Sequence, residues 1–323
     1  VVDFAAKIER ESKIMSTKSG RKFPYDYLII GLGVVTNYFG IKGLQENSLG
    51  IKTLQEAQNL RDHLHRQLVD DNRPDLNYVI IGGGPTGVEL AGSLSSYIRH
   101  IMQRHGVPKK AVNIEIIEAE PRLLPRMPKN YSKAVQKRLR RLGVKIFLNQ
   151  KVESQTADDL IVNGRPLRSH TVVWTAGVSC HPFFKENRFS RDMHGKVLVD
   201  QYLQAEPGIY VVGDNAATPY SGMAQTALRD GDFVGRHLIR MQNQKELSAY
   251  TPKKPIYITP VGKRWAALLW GNMHAFGWTG WVLRAAADWI GYRDLEPFLP
   301  ASKRWLALGN SEESCAVCFK KTS

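Results

Sequence analysis

Six consecutive residues carry the sharpest chemical signal in the chain: Gly82-Gly83-Gly84-Pro85-Thr86-Gly87 matches the pattern G-x-G-x-x-G. An adenine dinucleotide presents a diphosphate that main-chain N–H groups can hold only at close range, and residues without a Cβ allow that approach. Gly82 permits the tight turn, Gly84 lets the backbone near the diphosphate, and Gly87 lets a helix pack closely on a strand. Amides at the helix start then face the phosphates. Glu118 closes the next apolar run, IEIIE, where a carboxylate accepts hydrogen bonds from ribose hydroxyls and favours NADH over NADPH. The interval from Gly87 to Glu118 exceeds the usual ~20 residues, so RHIMQRHGVPKK is expected to extend the crossover. The bland alternative is a structural glycine turn. Glu89 lies in the first turn of the following helix, where the dipole stabilises its charged form; taken alone it is an ordinary helix-start carboxylate.

These residues need a scaffold of strands and helices in alternation. YDYLIIGLG, from Tyr25, is an apolar run stopped by glycines, and the turn-rich SGRKFP before it predicts a hairpin. Leu54, Leu60, Leu64 and Leu68 have helical spacing in a polar segment and predict a surface helix. Asn77 to Ile81 is then a strand, and Val88 to Met102 is a helix with Val88, Leu90, Ala91, Leu94 and Ile98 on one face. Val112 to Ile117, Val144 to Leu148 and Thr171 to Trp174 supply further strands, separated by a basic helix near Tyr131 to Leu142. This alternation predicts a parallel sheet. GIYVV at Gly208 and a helix over 222–241 that buries Ala224, Ala227, Phe233 and Leu238 imply a second α/β unit.

Composition sets the outer limits. The chain has 323 residues, 43% of them hydrophobic and 23% charged, with 27 glycines, which suits two packed domains rather than disorder. The formal net charge of +15 favours an anionic partner: nucleic acid, a dinucleotide or a lipid surface. From Pro121 to Lys151 there are ten Lys or Arg and no Asp or Glu, but no aromatic interleaving or binding module accompanies them, so nucleic acid is excluded in favour of a solvated helix face. Three cysteines, two of them in a polar tail, do not make a secreted disulfide framework. Cys315-x-x-Cys318 lacks a partner pair, and no metal site is expected. Six of the seven tryptophans lie from Trp265 onward, interleaved with Lys263, Arg264, Lys303 and Arg304, a composition suited to the membrane interface. Charged residues interrupt every apolar stretch, so no spanning helix is expected.

GGGPTGVELAG at Gly82, YDYLIIGLGVVTNYFGIKG upstream, WTAGV at Trp174, GIYVVGDNA at Gly208 and AQTALRDG at Ala224 occur together and in order. With the Trp-rich C-terminus, this set resembles the type II, non-proton-pumping NADH:quinone oxidoreductases over essentially the whole chain. The resemblance implies an α/β fold with two dinucleotide-binding, Rossmann-like domains of the glutathione-reductase type, the first truncated, plus a C-terminal membrane-interface helical region. The expected divisions are a remnant of the FAD domain at 1–43, an NADH domain at 44–178, the rest of the FAD domain at 179–250 and a membrane-associated region at 251–323. No second G-x-G-x-x-G precedes Phe23, so a βαβ unit of the FAD domain is expected to be missing.

The resemblance also implies FAD and NAD as cofactors, a membrane quinone as acceptor, and peripheral attachment on the cytoplasmic side of the inner or plasma membrane, with a possible homodimer. It places Gly82, Gly84, Gly87, Glu118, Gly177, Gly213, Asp214 and Ala224 at the cofactors, with Asp214 on the ribityl chain, and assigns Glu89 and Gln225 catalytic roles near nicotinamide, flavin and quinone. Position 229 departs from the family pattern: Arg replaces the usual Gln. The alternatives are a sulfide:quinone or disulfide reductase, which would need cysteine pairs where only Cys180 is available, and a non-catalytic NADH-binding protein.

Overall fold

The computed structural model describes residues 1–71, 74–107 and 112–311. Cys315 and Cys318 lie outside them. The chain forms two compact units, one of residues 1–36 and 178–255, the other of residues 37–177 and 256–323.

The first unit contains β1 (Ala5–Glu9), β2 (Ile14–Thr17), β3 (Lys22–Pro24), β4 (Leu28–Ile30) and β5 (Val34–Thr36), and later β13 (Val178–Cys180), β14 (Gln204–Glu206) and β15 (Ile209–Val211) with helices α5 (Pro182–Glu186) and α6 (Ala224–Gln242). The expected hairpin is present: β2 pairs with β3 across the Ser19-Gly20 turn, and β1 completes an antiparallel sheet. β4 and β15 run parallel with Leu28 opposite Ile209, and β5 pairs antiparallel with β13. Helix α6 follows β15 as anticipated, but its inward face is different. Thr226, Asp230, Val234 and His237 are buried, while Ala224 is exposed and Ala227, Phe233 and Leu238 are partly covered. Three of these four, Thr226, Asp230 and His237, are polar, and a pattern of hydrophobic residues does not register them.

The second unit is built on β6 (Asn77–Ile81), β7 (Asn113–Ile117), β8 (Val144–Phe147) and β12 (Thr171–Trp174), all parallel in the order β12-β6-β7-β8. Helices α1 (Leu44–Asn47) and α2 (Leu54–His65) precede it, α3 (Pro85–Arg104) joins β6 to β7, and α4 (Lys129–Arg141) joins β7 to β8. An antiparallel meander of β9 (Val152–Gln155), β10 (Asp159–Val162) and β11 (Arg165–Arg168) fills the last crossover. Because β6 is covered on both faces, all five of its residues are buried, as central parallel strands require. Thr53 caps α2 reciprocally with Glu56, which starts the helix at Leu54 and leaves that leucine 76% exposed; only Leu60, Leu64 and Leu68 of the leucine set point inward. On α3, Val88, Ala91, Leu94 and Ile98 are buried as the spacing predicts, and Leu90 is partly covered.

The C-terminal region opens on a sheet rather than a helix. β16 (Tyr257–Pro260), β17 (Ala266–Trp270) and β18 (Met273–Gly277) are antiparallel, with Trp270 opposite Met273 across a two-residue turn whose first residue, Gly271, has φ +59°. Helices α7 (Trp278–Leu295) and α8 (Phe298–Ser311) follow. This sheet shares the core of the second unit: Val261, Ala267 and Leu269 cluster with Val88, Leu94, Ile98 and Tyr131. The buried Tyr131 hydroxyl donates to the Ala267 carbonyl at 2.8 Å and lies 3.0 Å from Thr259 Oγ1. A Cβ on Gly92 would come within 2.6 Å of Gly262 N and 3.1 Å of Val261 Cα, backbone that cannot step aside. Gly92→Ala is therefore expected to lower stability by about 2 kcal/mol in urea denaturation, although alanine gains about 1 kcal/mol of helix propensity.

Candidate functional site

In the second unit the glycine turn sits at the carboxyl ends of β6 and β12, the edge at which open α/β sheets bind ligands. Its glycines fall into two kinds. Gly82 has φ +110°, and a Cβ there would lie 2.8 Å from Ala176 Cα. On Gly87 a Cβ would lie 2.0 Å from the Gly82 carbonyl oxygen, and on Gly83 it would meet Leu123 at 2.4 Å and Glu118 Oε2 at 2.8 Å. A Cβ on Gly84, by contrast, meets nothing within 4 Å. Gly82 and Gly87 are thus required by neighbouring main chain, Gly83 is crowded by side-chain ends alone, and Gly84 borders open space at the start of α3. Thr175 seals the turn from β12, donating to the Ile81 carbonyl at 2.8 Å. Gly83, Leu123 and Thr175 were not singled out from the sequence, although the run of three glycines contained the first.

Glu118 stands beside this turn. Its Oε2 accepts the Gly83 N–H and its Oε1 accepts the Glu120 N–H at 2.8 Å. A carboxylate has about four acceptor positions, so capacity for hydroxyl donors remains. Gly177 is held elsewhere in the unit: a Cβ there would meet the Asn37 carbonyl at 2.6 Å and the Phe39 ring at 2.5 Å, while its own carbonyl accepts Asn37 N–H at 3.0 Å.

Glu89 behaves differently from the sequence expectation. The helix begins at Pro85, so Glu89 stands past its first turn rather than in it, and burial pushes the carboxyl up to about 7, against attraction from Arg284 and with repulsion from Asp288. That burial comes from the packing of α3 against the C-terminal sheet, which the local sequence does not reveal. Such a group sits half-protonated near neutrality, as a proton donor and acceptor requires.

The first unit holds the remaining candidates. β15 runs into a short 3-10 turn, Gly213–Asn215, where Gly213 has φ +74° and donates its N–H to Asp230 Oδ2 at 3.0 Å. Asp230 is fully buried and also accepts the Tyr250 hydroxyl; burial raises its carboxyl, against these two hydrogen bonds. Asn215 is buried too, accepting from His181 N at 3.1 Å and donating to the Gly33 carbonyl. Asp214 is left half-buried between two fixed residues. Ala224 and Gln225 form the start of α6, whose N-cap, Met223, supplies no side-chain cap. Arg229 is occupied on the same helix, donating to the Lys253 carbonyl at 3.0 Å. Asp230 was missed as a positioning group because nothing in the sequence marks it as buried. Cys180, the one cysteine among the described residues, is half-buried, and burial raises its thiol.

The family model for pyridine nucleotide-disulphide oxidoreductases matches residues 2–231. The chain belongs to that family. Among curated relatives of this pyridine nucleotide-disulphide oxidoreductase are a probable NADH dehydrogenase of Dictyostelium discoideum, 28% identical over 246 residues, covering 71% of this chain and 54% of the relative. The external alternative NADH-ubiquinone oxidoreductase of Yarrowia lipolytica mitochondria is 28% identical over 283 residues, covering 76% and 48%. The type II NADH:quinone oxidoreductase of Staphylococcus aureus is 28% identical over 258 residues, covering 73% and 63%. The chain therefore spans roughly half to two-thirds of the length of these relatives. In fold it is similar to NDH2 from Plasmodium falciparum in complex with NADH, with a TM-score of 0.82 at 15% identity over 98% of this chain and 85% of that one. An NAD-dependent persulfide reductase from A. fulgidus gives 0.66 at 19% identity over 82% and 48%.

Two outcomes follow from the geometry. Gly87→Ala should cost at least 3 kcal/mol in chemical denaturation, because its new Cβ meets main chain, whereas Gly84→Ala should cost about 1 kcal/mol or less. Glu89 has a folded-state value above its unfolded 4.5, so its contribution to stability is fully present below pH 4.5 and is lost as pH rises through about 7. Glu89→Gln should remove that decline and leave the variant about 2 kcal/mol more stable than the parent at pH 8, the full shift being reduced by partial solvent screening.

Proposed function

We propose that this chain is the NADH-binding and part of the flavin-binding portion of an enzyme that oxidises NADH through FAD and passes two electrons to a membrane quinone. The observation that carries this is the contrast within the glycine turn. Gly82 and Gly87 are required by neighbouring main-chain atoms, but Gly84 opens onto free space at a helix start, next to Gly83, whose N–H Glu118 accepts. A diphosphate fits that opening, held by main-chain N–H groups of the α3 start and the helix dipole, with the ribose on Glu118. The kinship with relatives called NADH dehydrogenase and type II NADH:quinone oxidoreductase supports the same substrate.

In the other unit Asp214 suits a polyol, since it is presented on a turn clamped by Gly213 and Asn215, and it would hold the ribityl chain of FAD. Ala224, small and exposed at the α6 start, allows close approach of a ring. Gln225 would bond a quinone carbonyl in either protonation state. Glu89 would hold or release the proton that accompanies electron transfer, its value near 7 matching that task. When bound, FAD would accept hydride from NADH and pass two electrons to the quinone, while this chain's residues would contribute placement and proton handling.

Among the described residues no helix is long and apolar enough to cross a membrane. Helices α7 and α8 nevertheless expose Trp278 (65%), Ile290, Phe298, Leu299 and Leu306 (64%) with Lys303 and Arg304, the mixture expected of a segment lying in the headgroup layer. Attachment there, on the cytoplasmic side and with a homodimer allowed, places the enzyme where its quinone dissolves.

Calorimetry with NADH and NADPH tests the nucleotide site: NADH should bind, NADPH far more weakly. Gly84→Ala should weaken NADH at least tenfold without loss of fold, and absence of heat from NADH with the folded protein would refute the assignment. For the electron-transfer step, the full-length FAD-loaded enzyme should reduce a soluble quinone analogue with NADH, and Gln225→Ala should raise KM for quinone while leaving NADH affinity unchanged.

A further inference from the structure

After α6 the chain turns back along the helix instead of leaving it. The helix stops at Gln244, which has φ +52°, while Gln244 N–H donates to the Met241 carbonyl at 3.0 Å and Lys245 N–H to the Arg240 carbonyl at 2.9 Å, the paired bonds of a left-handed helix stop. The residues that follow form a strap tied to α6 by three side chains. Arg240 Nε donates to the Glu246 carbonyl at 2.9 Å, the Tyr250 hydroxyl donates to Asp230 Oδ1, and Arg229 Nη1 donates to the Lys253 carbonyl at 3.0 Å. Advancing along the strap therefore means descending α6, from its last turn back to its second. Tyr250 is held from two further sides: its N–H donates to the Gln201 carbonyl at 2.8 Å, and its ring meets Phe233 edge-on with centroids 5.2 Å apart.

Asp230 joins the strap to the turn that presents Asp214. It has no solvent exposure, and its other oxygen accepts Gly213 N–H at 3.0 Å. Gly213 opens that turn, and a Cβ on it would stand 3.2 Å from Ala227 Cβ, so α6 lies close against the turn. An unbroken path of contacts runs from the Tyr250 hydroxyl through the Asp230 carboxyl to the Gly213 amide, the residue before Asp214. Without the hydroxyl, a buried carboxyl oxygen loses its donor; the carboxyl relieves that cost by turning, and turning breaks its bond to Gly213. We propose that Tyr250 is a positioning residue for FAD: through Asp230 it holds the turn in the orientation that brings Asp214 to the ribityl hydroxyls, which makes the strap part of the cofactor site. This rests on Asp214 holding the ribityl chain, as in the reading above. The strap lies beyond residue 231, where the match to the family model ends, so that kinship assigns it no role. If the turn receives FAD only while the strap is seated, the apparent affinity for FAD falls with the seated fraction.

The test reads flavin release from the full-length FAD-loaded enzyme, followed as the rise in flavin fluorescence on dilution, in variants whose near-ultraviolet circular dichroism matches the parent. Tyr250→Phe, which keeps the ring on Phe233, should release flavin about fivefold faster, and Asp230→Ala at least about tenfold faster. Asp230→Asn should stay within about twofold of the parent, because its amide oxygen still accepts Gly213 N–H and its NH2 donates to the Tyr250 oxygen. Tyr250→Phe added to Asp230→Ala should bring no further increase, whereas a strap that only stabilises the unit gives effects that multiply. Amide exchange over residues 211–216 should quicken in Tyr250→Phe as well. Parental release in Tyr250→Phe, or multiplying effects in the double variant, would overturn the proposal. Asp214→Ala separates it from the reading on which it rests: fast release there beside parental release in Tyr250→Phe sinks this proposal alone, while parental release in Asp214→Ala sinks the ribityl assignment and this proposal with it. Should Asp230→Ala not fold, Tyr250→Phe decides the matter, since both its flavin release and its exchange over residues 211–216 must rise.

Discussion

The nucleotide-type domain depends on one steric constraint: the start of α3 approaches the end of β6 so closely that position 87 has room for no side chain against the Gly82 carbonyl. That contact decides where α3 lies on the sheet, and with it the direction in which the first-turn amides point. It also fixes where Glu89 emerges, two residues later, and where Gly92 meets the C-terminal sheet five residues later. A helix displaced outward by one methyl group would lose the direction of its first amides, the Glu89 environment and the seat of β16–β18 together. The open position, Gly84, is useful only because its neighbours are closed.

Two buried carboxyls show how surroundings assign different work to the same chemistry. Asp230 has no solvent exposure but accepts Gly213 N–H on one oxygen and the Tyr250 hydroxyl on the other, so it acts as a clamp on the turn that presents Asp214. Glu89 has no hydrogen-bond donor among the described residues and meets only distant charges, so burial is less opposed and the proton stays exchangeable near neutrality. Hydrogen bonds to both oxygens make one carboxyl a structural clamp; burial without them leaves the other titratable.

The C-terminal region likewise combines two tasks that its composition presents as one. Its first half is an antiparallel sheet that completes the core around Tyr131, and its second half carries the exposed aromatic and aliphatic side chains. Tryptophan content suggested an interfacial element throughout, because a Trp beside a Lys reads alike on a strand wedged into a core and on a helix at the surface. Trp265 packs against the core, whereas Trp278 faces outward.

Much of the scaffold was legible without coordinates, since strand–glycine–helix order and the burial of Val79, Ile80 and Val88 follow from periodicity and from where a Cβ can be accommodated. The sequence by itself determined the parallel sheet, the glycine turn and Glu118 beside it, because these depend on local backbone freedom and on residues near one strand end. Only the tertiary structure decided that Gly83 is bordered by Leu123, that α6 turns Asp230 and His237 inward, and that Glu89 resists ionisation because it is buried, against the attraction of a cation almost two hundred residues away in sequence. Steric permission is written into each residue type, whereas desolvation and charge coupling belong to the assembled surroundings and vanish when the chain is read one position at a time.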